Sequence, residues 1–118
     1  MAVDKKIEAL LAPVKIPIAY RAFRPYKNKP VPNPPYLIYL IEHEAAYGAD
    51  YKNLVKEKNV RVELYADKKE LKLEEKVEQA LSAYDHDKYE DFIESEAMYM
   101  TAYEFTVFEK VRRNSNGK

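Results

Sequence analysis

The chain has 118 residues, and its 20 basic residues are balanced by 20 acidic ones. This length predicts one domain, and the lack of cysteine excludes disulfides, thiolate catalysis and cysteine-based metal sites. A formal net charge of zero gives no reason to expect affinity for nucleic acid. No apolar run is long enough to predict a membrane span, and the first residues do not read as a secretion signal, so we expect a protein that stays in the cytoplasm.

The first predicted element is a short amphipathic helix with Asp4 as its N-cap. Its apolar positions follow helical spacing and are Ile7, Leu10, Leu11 and Val14. Pro13 is expected to end this helix or to bend its last turn. A strand is predicted over Ile16–Phe23, where strand-forming residues alternate weakly with others.

Five prolines stand among lysines and asparagines in the segment Arg24–Pro35. Because proline removes a backbone donor and fixes φ, this segment is predicted to be an extended, exposed loop outside the sheet. Loops of this length in small domains often bind partners. The next segment, Tyr36–Glu44, is almost continuously apolar until its end, which predicts a central strand buried on both faces.

The segment Tyr47–Asp50 has turn chemistry, and the charged segment Tyr51–Asn59 is either an extension of a hairpin or a mobile loop. Alternation over Val60–Ala66 predicts a strand. Asp67 and Glu70 resemble a capping box at the start of a second amphipathic helix. The apolar positions of this helix are Leu73, Val77, Ala80, Leu81 and Tyr84.

The last third of the chain predicts a turn at Asp85–Asp87, a strand over Tyr89–Glu94 and a long strand over Ala97–Val111. The order is thus α-β-β-β-α-β-β, and the predicted fold class is α+β. We expect a mixed, mainly antiparallel sheet with both helices packed on it. The domain is predicted to cover residues 1–111, and residues 112–118 to form a disordered basic tail.

No motif for catalysis or metal binding is found in the sequence. Both histidines, His43 and His86, stand between acidic residues. Neighbouring residues of a strand point to opposite faces, so Glu42 and Glu44 should not share a site with His43, and the residues around His86 lack the spacing of a metal motif. No serine lies in a nucleophile elbow, and two glycines do not build a phosphate-binding loop. We therefore predict no enzymatic activity, no cofactor and no metal.

Charge is distributed unevenly along the chain. Residues 1–30 hold seven basic residues against two acids, whereas residues 85–109 hold eight acids against Lys88 alone. This asymmetry is typical either of head-to-tail pairing between copies or of solvated faces and internal ion pairs. Basic and aromatic residues are mixed over Arg21–Lys29, as in grooves for single-stranded nucleic acid, but the acidic second half argues against nucleic-acid binding.

Two predicted loops supply the candidate contact residues. Tyrosine combines a large apolar ring with a polar tip, which suits a surface that is wet in the monomer and buried in an assembly. The candidates are Arg24, Tyr26, Lys27 and Lys29 in the Pro-rich loop, and Tyr47, Tyr51, Lys52 and Lys56 in the hairpin segment.

The pieces IAYRAF, PPYLIYL, VELYADKKE and FIESE…YEF follow one another in this order over most of the chain. In these pieces the chain resembles the small proteins encoded just ahead of the major tail protein in long-tailed bacteriophages and prophages of low-GC Gram-positive bacteria. Those proteins are similar in type to tail terminator or tail-to-head joining proteins. The resemblance implies a mixed α/β domain that forms a ring, usually a hexamer, at the head-proximal end of the tail tube.

The partners implied by the resemblance are further copies of the chain, the major tail tube protein and a head-completion or connector protein. The location implied is the head–tail junction of the virion, after synthesis in the cytoplasm of the bacterial host. The resemblance does not separate a terminator from a neighbouring head-completion or adaptor role. A different interpretation is a small cytoplasmic regulatory module that binds protein or RNA through the basic Pro-rich loop.

Overall fold

A five-stranded sheet with two helices on one face forms the fold. The computed structural model describes residues 3–25, 30–48 and 53–112. The elements are α1 (Val3–Leu11), β1 (Ile18–Tyr20), β2 (Tyr36–Tyr47), β3 (Asn53–Ala66), α2 (Leu71–Ala80), β4 (Asp87–Ile93) and β5 (Met98–Arg112). The predicted α+β class and element order are confirmed. Of the helices in these ranges, none is long and apolar enough to cross a membrane.

The strand order in the sheet is β1-β2-β3-β5-β4. β1 pairs in parallel with β2, and all the other neighbours pair antiparallel. The sheet is therefore mixed and mainly antiparallel, as predicted. The last strand, β5, lies between β3 and β4, so the longest strand of the chain holds the two hairpins together.

The hydrophobic core lies between the helices and one face of the sheet. Ile7 and Leu11 of α1, Val77 of α2 and Leu81 directly after α2 are all at most 2% exposed. The sheet contributes Leu37, Tyr39, Val60, Val62, Leu64, Tyr103, Phe105 and Val107. Because side chains alternate between the faces of a strand, Thr101, Tyr103, Phe105 and Val107 of β5 lie on this face, and all four are buried.

Both predicted helix caps are wrong. Asp4 lies inside α1, and α2 begins at Leu71 after Glu70, which makes no side-chain capping hydrogen bond. The apolar stripes that pack on the sheet, more than the caps, determine where the two helices form. The expectation for Pro13 is confirmed, because α1 ends in a 3-10 turn over Ala12–Val14.

The first three strands differ from the prediction in length or in burial. β1 is shorter because Arg21 has a φ of 67°, which lies outside the strand region. The charged segment before Val60 is a hairpin extension, since β3 pairs with β2 from Val55 onward. β2 is buried at Leu37–Tyr39 but mostly exposed from Glu42 onward, so the prediction of burial on both faces is wrong for its second half.

The hairpin extension and the end of β5 form an arm, which comprises residues 43–47, 53–59 and 106–112. A β-bulge between Ile41 and His43 marks its base. One face of the arm continues the helix-covered face of the sheet. On it, Lys58 Nζ lies 3.5 Å from Glu44 Oε1 and 3.6 Å from Glu109 Oε1. These ion pairs tie the three strands together. The arm makes the molecule elongated: the radius of gyration is 16.7 Å, against roughly 13.5 Å for a compact chain of this length.

An ionic network joins α2 to β4 and β5. The buried carboxylate of Glu74 lies 2.8 Å from Lys69 Nζ and 3.0 Å from Lys88 Nζ. Lys88 Nζ is also 3.0 Å from Glu78 Oε2, and the Tyr103 hydroxyl donates to the same Glu78 oxygen at 2.9 Å. The helix is therefore held on the sheet by both apolar packing and charge.

Glu78 makes the stability of this network depend on pH. Partial burial favours its neutral form, but hydrogen bonds from Lys88 and Tyr103 outweigh burial and hold the Glu78 pKa below its usual value. A carboxyl with a lowered folded pKa stabilises the fold above its unfolded pKa, and this contribution is lost as pH falls through the folded value. Below about pH 4.3 we therefore expect Glu78→Gln to show a flatter decline in unfolding free energy than the parent chain.

Urea denaturation over a series of acidic pH values measures this difference. Glu75 is exposed on the same helix, so Glu75→Gln is the matched control and should keep the parent's pH dependence. An equally steep decline in Glu78→Gln and the parent chain would show that this carboxylate does not carry the effect.

Candidate interaction surface

The described residues include three of the eight predicted contact residues. Arg24 is exposed in the segment that follows β1, and Tyr47 is 56% exposed at the end of β2. Lys56 is half-buried in β3, where its Nζ lies 3.9 Å from Glu44 Oε1. The other five, Tyr26, Lys27, Lys29, Tyr51 and Lys52, lie outside the described residues.

The two predicted contact elements lie at opposite ends of the sheet. The Pro-rich connection enters β2 at Tyr36, and the hairpin segment leaves it at Tyr47. A strand of this length spans about 36 Å. The structure therefore does not bring Arg24 and Tyr47 together. A single partner would have to span this distance to contact both ends at once.

A groove lies on the helix-free face of the sheet, next to the Pro-rich connection. The rings of Phe23 and Tyr36 meet edge to face at 5.2 Å, and Tyr36 stacks on Tyr65 at 5.4 Å. The groove has a volume of about 240 Å³, and its lining also includes Val31, Ile38, Ile93 and Glu96. Sequence reasoning missed this groove, since its residues come from three separate segments.

Tyr65 anchors the floor of this groove. Its hydroxyl donates to Glu63 Oε1 at 2.9 Å. Burial, together with this hydrogen bond, raises the pKa of Tyr65 well above its usual range, so the side chain stays neutral as a donor. The groove thus combines aromatic and aliphatic side chains with the charged side chains of Arg21 and Glu96.

The middle of the same face carries an acidic cluster around one arginine. Arg61 Nε lies 2.7 Å from Glu63 Oε2, and Arg61 Nη1 lies 2.7 Å from Glu104 Oε2. Glu42 lies next to Glu104, and its partial burial together with that second carboxylate raises the Glu42 pKa. Three carboxylates around one guanidinium make this part of the face unsuited to the phosphates of nucleic acid.

The bulge at the base of the arm corrects one expectation from the sequence. A regular strand would point Glu42 and His43 to opposite faces, but the extra residue in β2 changes the alternation. Glu42 interacts with Glu104, while His43 Nδ1 lies 3.4 Å from Asn59 Nδ2, and Asn59 in turn accepts from the Thr106 hydroxyl at 3.0 Å. Both side chains therefore lie on the helix-free face.

The bulge does not bring residues together into a metal centre. Within residues 3–25, 30–48 and 53–112, no group of three or more potential ligands among His, Asp and Glu is arranged to hold a metal ion. The second histidine, His86, lies with its Nδ1 3.1 Å from the Tyr84 carbonyl and its ring against Tyr103. The lack of enzymatic activity stays a prediction.

Exposed aromatic residues along β4 and β5 are a further feature. Phe108 is 62% exposed on the helix-free face of the arm, and Tyr89 is 48% exposed on β4. Phe92 and Tyr99 form an edge-to-face pair at the outer edge of the sheet, with ring centroids 4.9 Å apart. Alternation in the sequence places Phe108 on the face of β5 that points away from the core, and this pattern could have predicted its exposure.

No protein-family model matches the chain. A search of curated proteins likewise finds no match. The function is therefore proposed from the residues, the fold and the resemblance stated above.

Proposed function

We propose that the chain is a non-enzymatic assembly protein of long-tailed bacteriophage virions, a tail terminator or head–tail joining subunit. Copies of it form a ring, a hexamer in the virion, that caps the tail tube and gives the head a surface to attach to. Its partners are then the major tail tube protein and a head-completion or connector protein. It is made in the cytoplasm of the bacterial host and is located at the head–tail junction.

One geometric observation supports this proposal beyond the resemblance. The two contact elements lie at opposite ends of an elongated sheet, about 36 Å apart along β2. A subunit that joins two structures needs separate surfaces facing in opposite directions. An exposed Arg24 at one end and a 56% exposed Tyr47 at the other fit that requirement.

The proposed mechanism is steric. Ring subunits bind the last ring of the tube, cover its growing surface and present a different surface to the head. No bond is made or broken, so the residues that matter are those that contact partners. At the loop end are the exposed Arg24 of the Pro-rich connection and the groove lined by Phe23 and Tyr65. At the other end, the arm presents Tyr47.

Electron microscopy of lysates from a strain in which the gene is disrupted tests this proposal. Overlong tails without heads, next to free filled heads, are expected for a terminator. Tails of normal length that stay unattached would place the role at the joining step. Intact infectious particles would contradict the proposal and favour a role outside the virion.

The second candidate function is a module that binds RNA or protein through the basic loop. Exposed Arg21 and Arg24 beside the half-buried ring of Phe23 favour it, and the Arg21 guanidinium already lies over the Tyr20 ring at 5.4 Å. Contacts of lysine and arginine with phosphates weaken steeply with salt. Filter binding with single-stranded RNA at rising salt separates the candidates, because the virion role predicts no retention even at low salt.

A further inference from the structure

The last part of β5 has a free edge. β4 pairs with β5 only between Met98 and Glu104, whereas β3 pairs with β5 as far as Arg112. Among the described residues, no strand lies on the outer side of Phe105–Arg112. The backbone N–H and C=O groups on that side are therefore available to pair with another chain.

The opposite edge of the arm is less suited to pairing. On β2, the Arg21 side chain donates to the Ile41 carbonyl at 3.2 Å, and the bulge between Ile41 and His43 interrupts the regular edge. Bulges and charged residues are the devices by which proteins protect edge strands. β5 has no bulge there, because its register with β3 is continuous from Tyr99 to Arg112. The charged residues of this stretch are Glu109, Lys110 and Arg112.

An open groove borders the start of the free edge. It has a volume of about 440 Å³ and lies between Phe105–Phe108 of β5 and Tyr84–Asp87 of the turn before β4. Since β4 begins at Asp87, the groove continues the line of β4 in the plane of the sheet. An added strand in this groove would complete the hydrogen bonding of β5 and cover part of Phe108.

The two ends of this edge differ in charge. Its start is acidic, with Asp85, Asp87 and Glu104 lining the groove. Its far part has a small excess of positive charge, with Lys110 and Arg112 against Glu109, and Arg113 follows in the sequence. An antiparallel arrangement of two copies places the basic part of each next to the acidic part of the other, which parallel pairing of the same edges does not.

We propose that the free edge of β5 binds the same edge of a second copy, antiparallel and about a two-fold axis at Phe108. Phe108 then faces Phe108 of the partner subunit, and Thr106 faces Lys110 of the partner subunit. The sheet continues across the dimer, and the two exposed phenyl rings cover each other. This dimer is a property of the isolated protein, and it depends on neither the tail tube nor the head.

Cross-linking by an introduced cysteine tests the two-fold axis, because the chain has no cysteine of its own. Directly opposite residues of antiparallel strands have Cα atoms about 4.5–5.5 Å apart, a separation within the range of a disulfide. Under mild oxidation, Phe108→Cys is expected to give a covalent dimer of twice the 13.9 kDa chain mass. Tyr47→Cys, similarly exposed but on the opposite edge, is the matched control and should stay monomeric.

Sedimentation equilibrium of the parent chain and of Phe108→Glu provides the second measurement. Like charges directly opposite each other are destabilising in a sheet, so we expect this change to raise the dimer dissociation constant at least about tenfold. The fold should be retained, because Phe108 is largely exposed in one copy, and circular dichroism checks this.

Three results would overturn the proposal. A parent chain that stays monomeric at all protein concentrations would exclude the dimer. Equal cross-linking of Phe108→Cys and Tyr47→Cys would exclude specific pairing at β5. A disulfide formed only when these two variants are mixed would show that β5 pairs head-to-tail with β2. Each result is independent of virion assembly, so the dimer and the proposed function can fail separately.

Discussion

Reversing two charges in the Pro-rich loop, by Lys27→Glu together with Lys29→Glu, is expected to abolish the joining of phage heads to tails. Breaking a buried interfacial charge pair costs about 2–5 kcal/mol, and reversal adds repulsion to that loss. Two such changes in one subunit are repeated in every subunit of a ring, so the effect on attachment multiplies. Infectious titre after complementation of a gene disruption, together with electron microscopy of the particles, measures the outcome.

A matched control comes from α1. Lys5 and Lys6 are exposed on this helix, and Lys5→Glu with Lys6→Glu changes the net charge by the same amount at a site outside both contact elements. This control should give a normal titre. Both double variants should fold like the parent chain by circular dichroism. Normal virion yield from the loop variant would remove the Pro-rich loop from the contact surface.

Replacing Tyr103 with alanine should cause the largest loss of stability among the single changes considered. Its side chain is fully buried between the sheet and α2, and it packs against His86 with ring centroids 5.7 Å apart. Removing a buried aromatic ring costs about 3–5 kcal/mol. Domains of this size have unfolding free energies of about 5–15 kcal/mol, so Tyr103→Ala should lose a large part of the total, as measured by urea denaturation.

Tyr103→Phe separates the ring from the hydroxyl. This change keeps the packing and removes only the hydrogen bonds of the hydroxyl, to Glu78 Oε2 at 2.9 Å and to the Glu74 carbonyl at 3.4 Å, which should cost about 1–2 kcal/mol. The difference between the two variants is then the contribution of the buried ring. If both variants lose the same free energy, the hydroxyl and not the ring holds α2 on the sheet.

Much of the fold was predictable because its core residues follow clear periods. Val77 and Leu81 at helical spacing predicted α2, and the long strand predicted over Ala97–Val111 is β5, whose Tyr103, Phe105 and Val107 enter the core. The extension of β3 was ambiguous because charged residues replace apolar ones there. The structure explains it by ion pairs between strands, such as Lys58 with Glu109, which cannot be recognised before the pairing is known.

The surface was less predictable, because its features also depend on how the strands pair. The groove between Phe23 and Tyr65 and the cluster around Arg61 bring together residues that are distant in the sequence. The bulge beside Glu42 depends on the register of β2 against β3, and no local pattern indicates it. Exposed residues such as Arg24 and Tyr47 could be selected from the sequence, because prolines and turn residues mark the nearby connections locally.

The arm has a consequence for local unfolding. Neither helix covers residues 43–47 or 53–58, so few buried apolar contacts oppose the opening of these strands. Backbone amides there are expected to exchange with solvent far sooner than those of Val62 or Tyr103, since local opening free energies follow the density of buried contacts. A partner that binds the paired form of the arm is therefore expected to slow this exchange, because binding stabilises the form that it contacts.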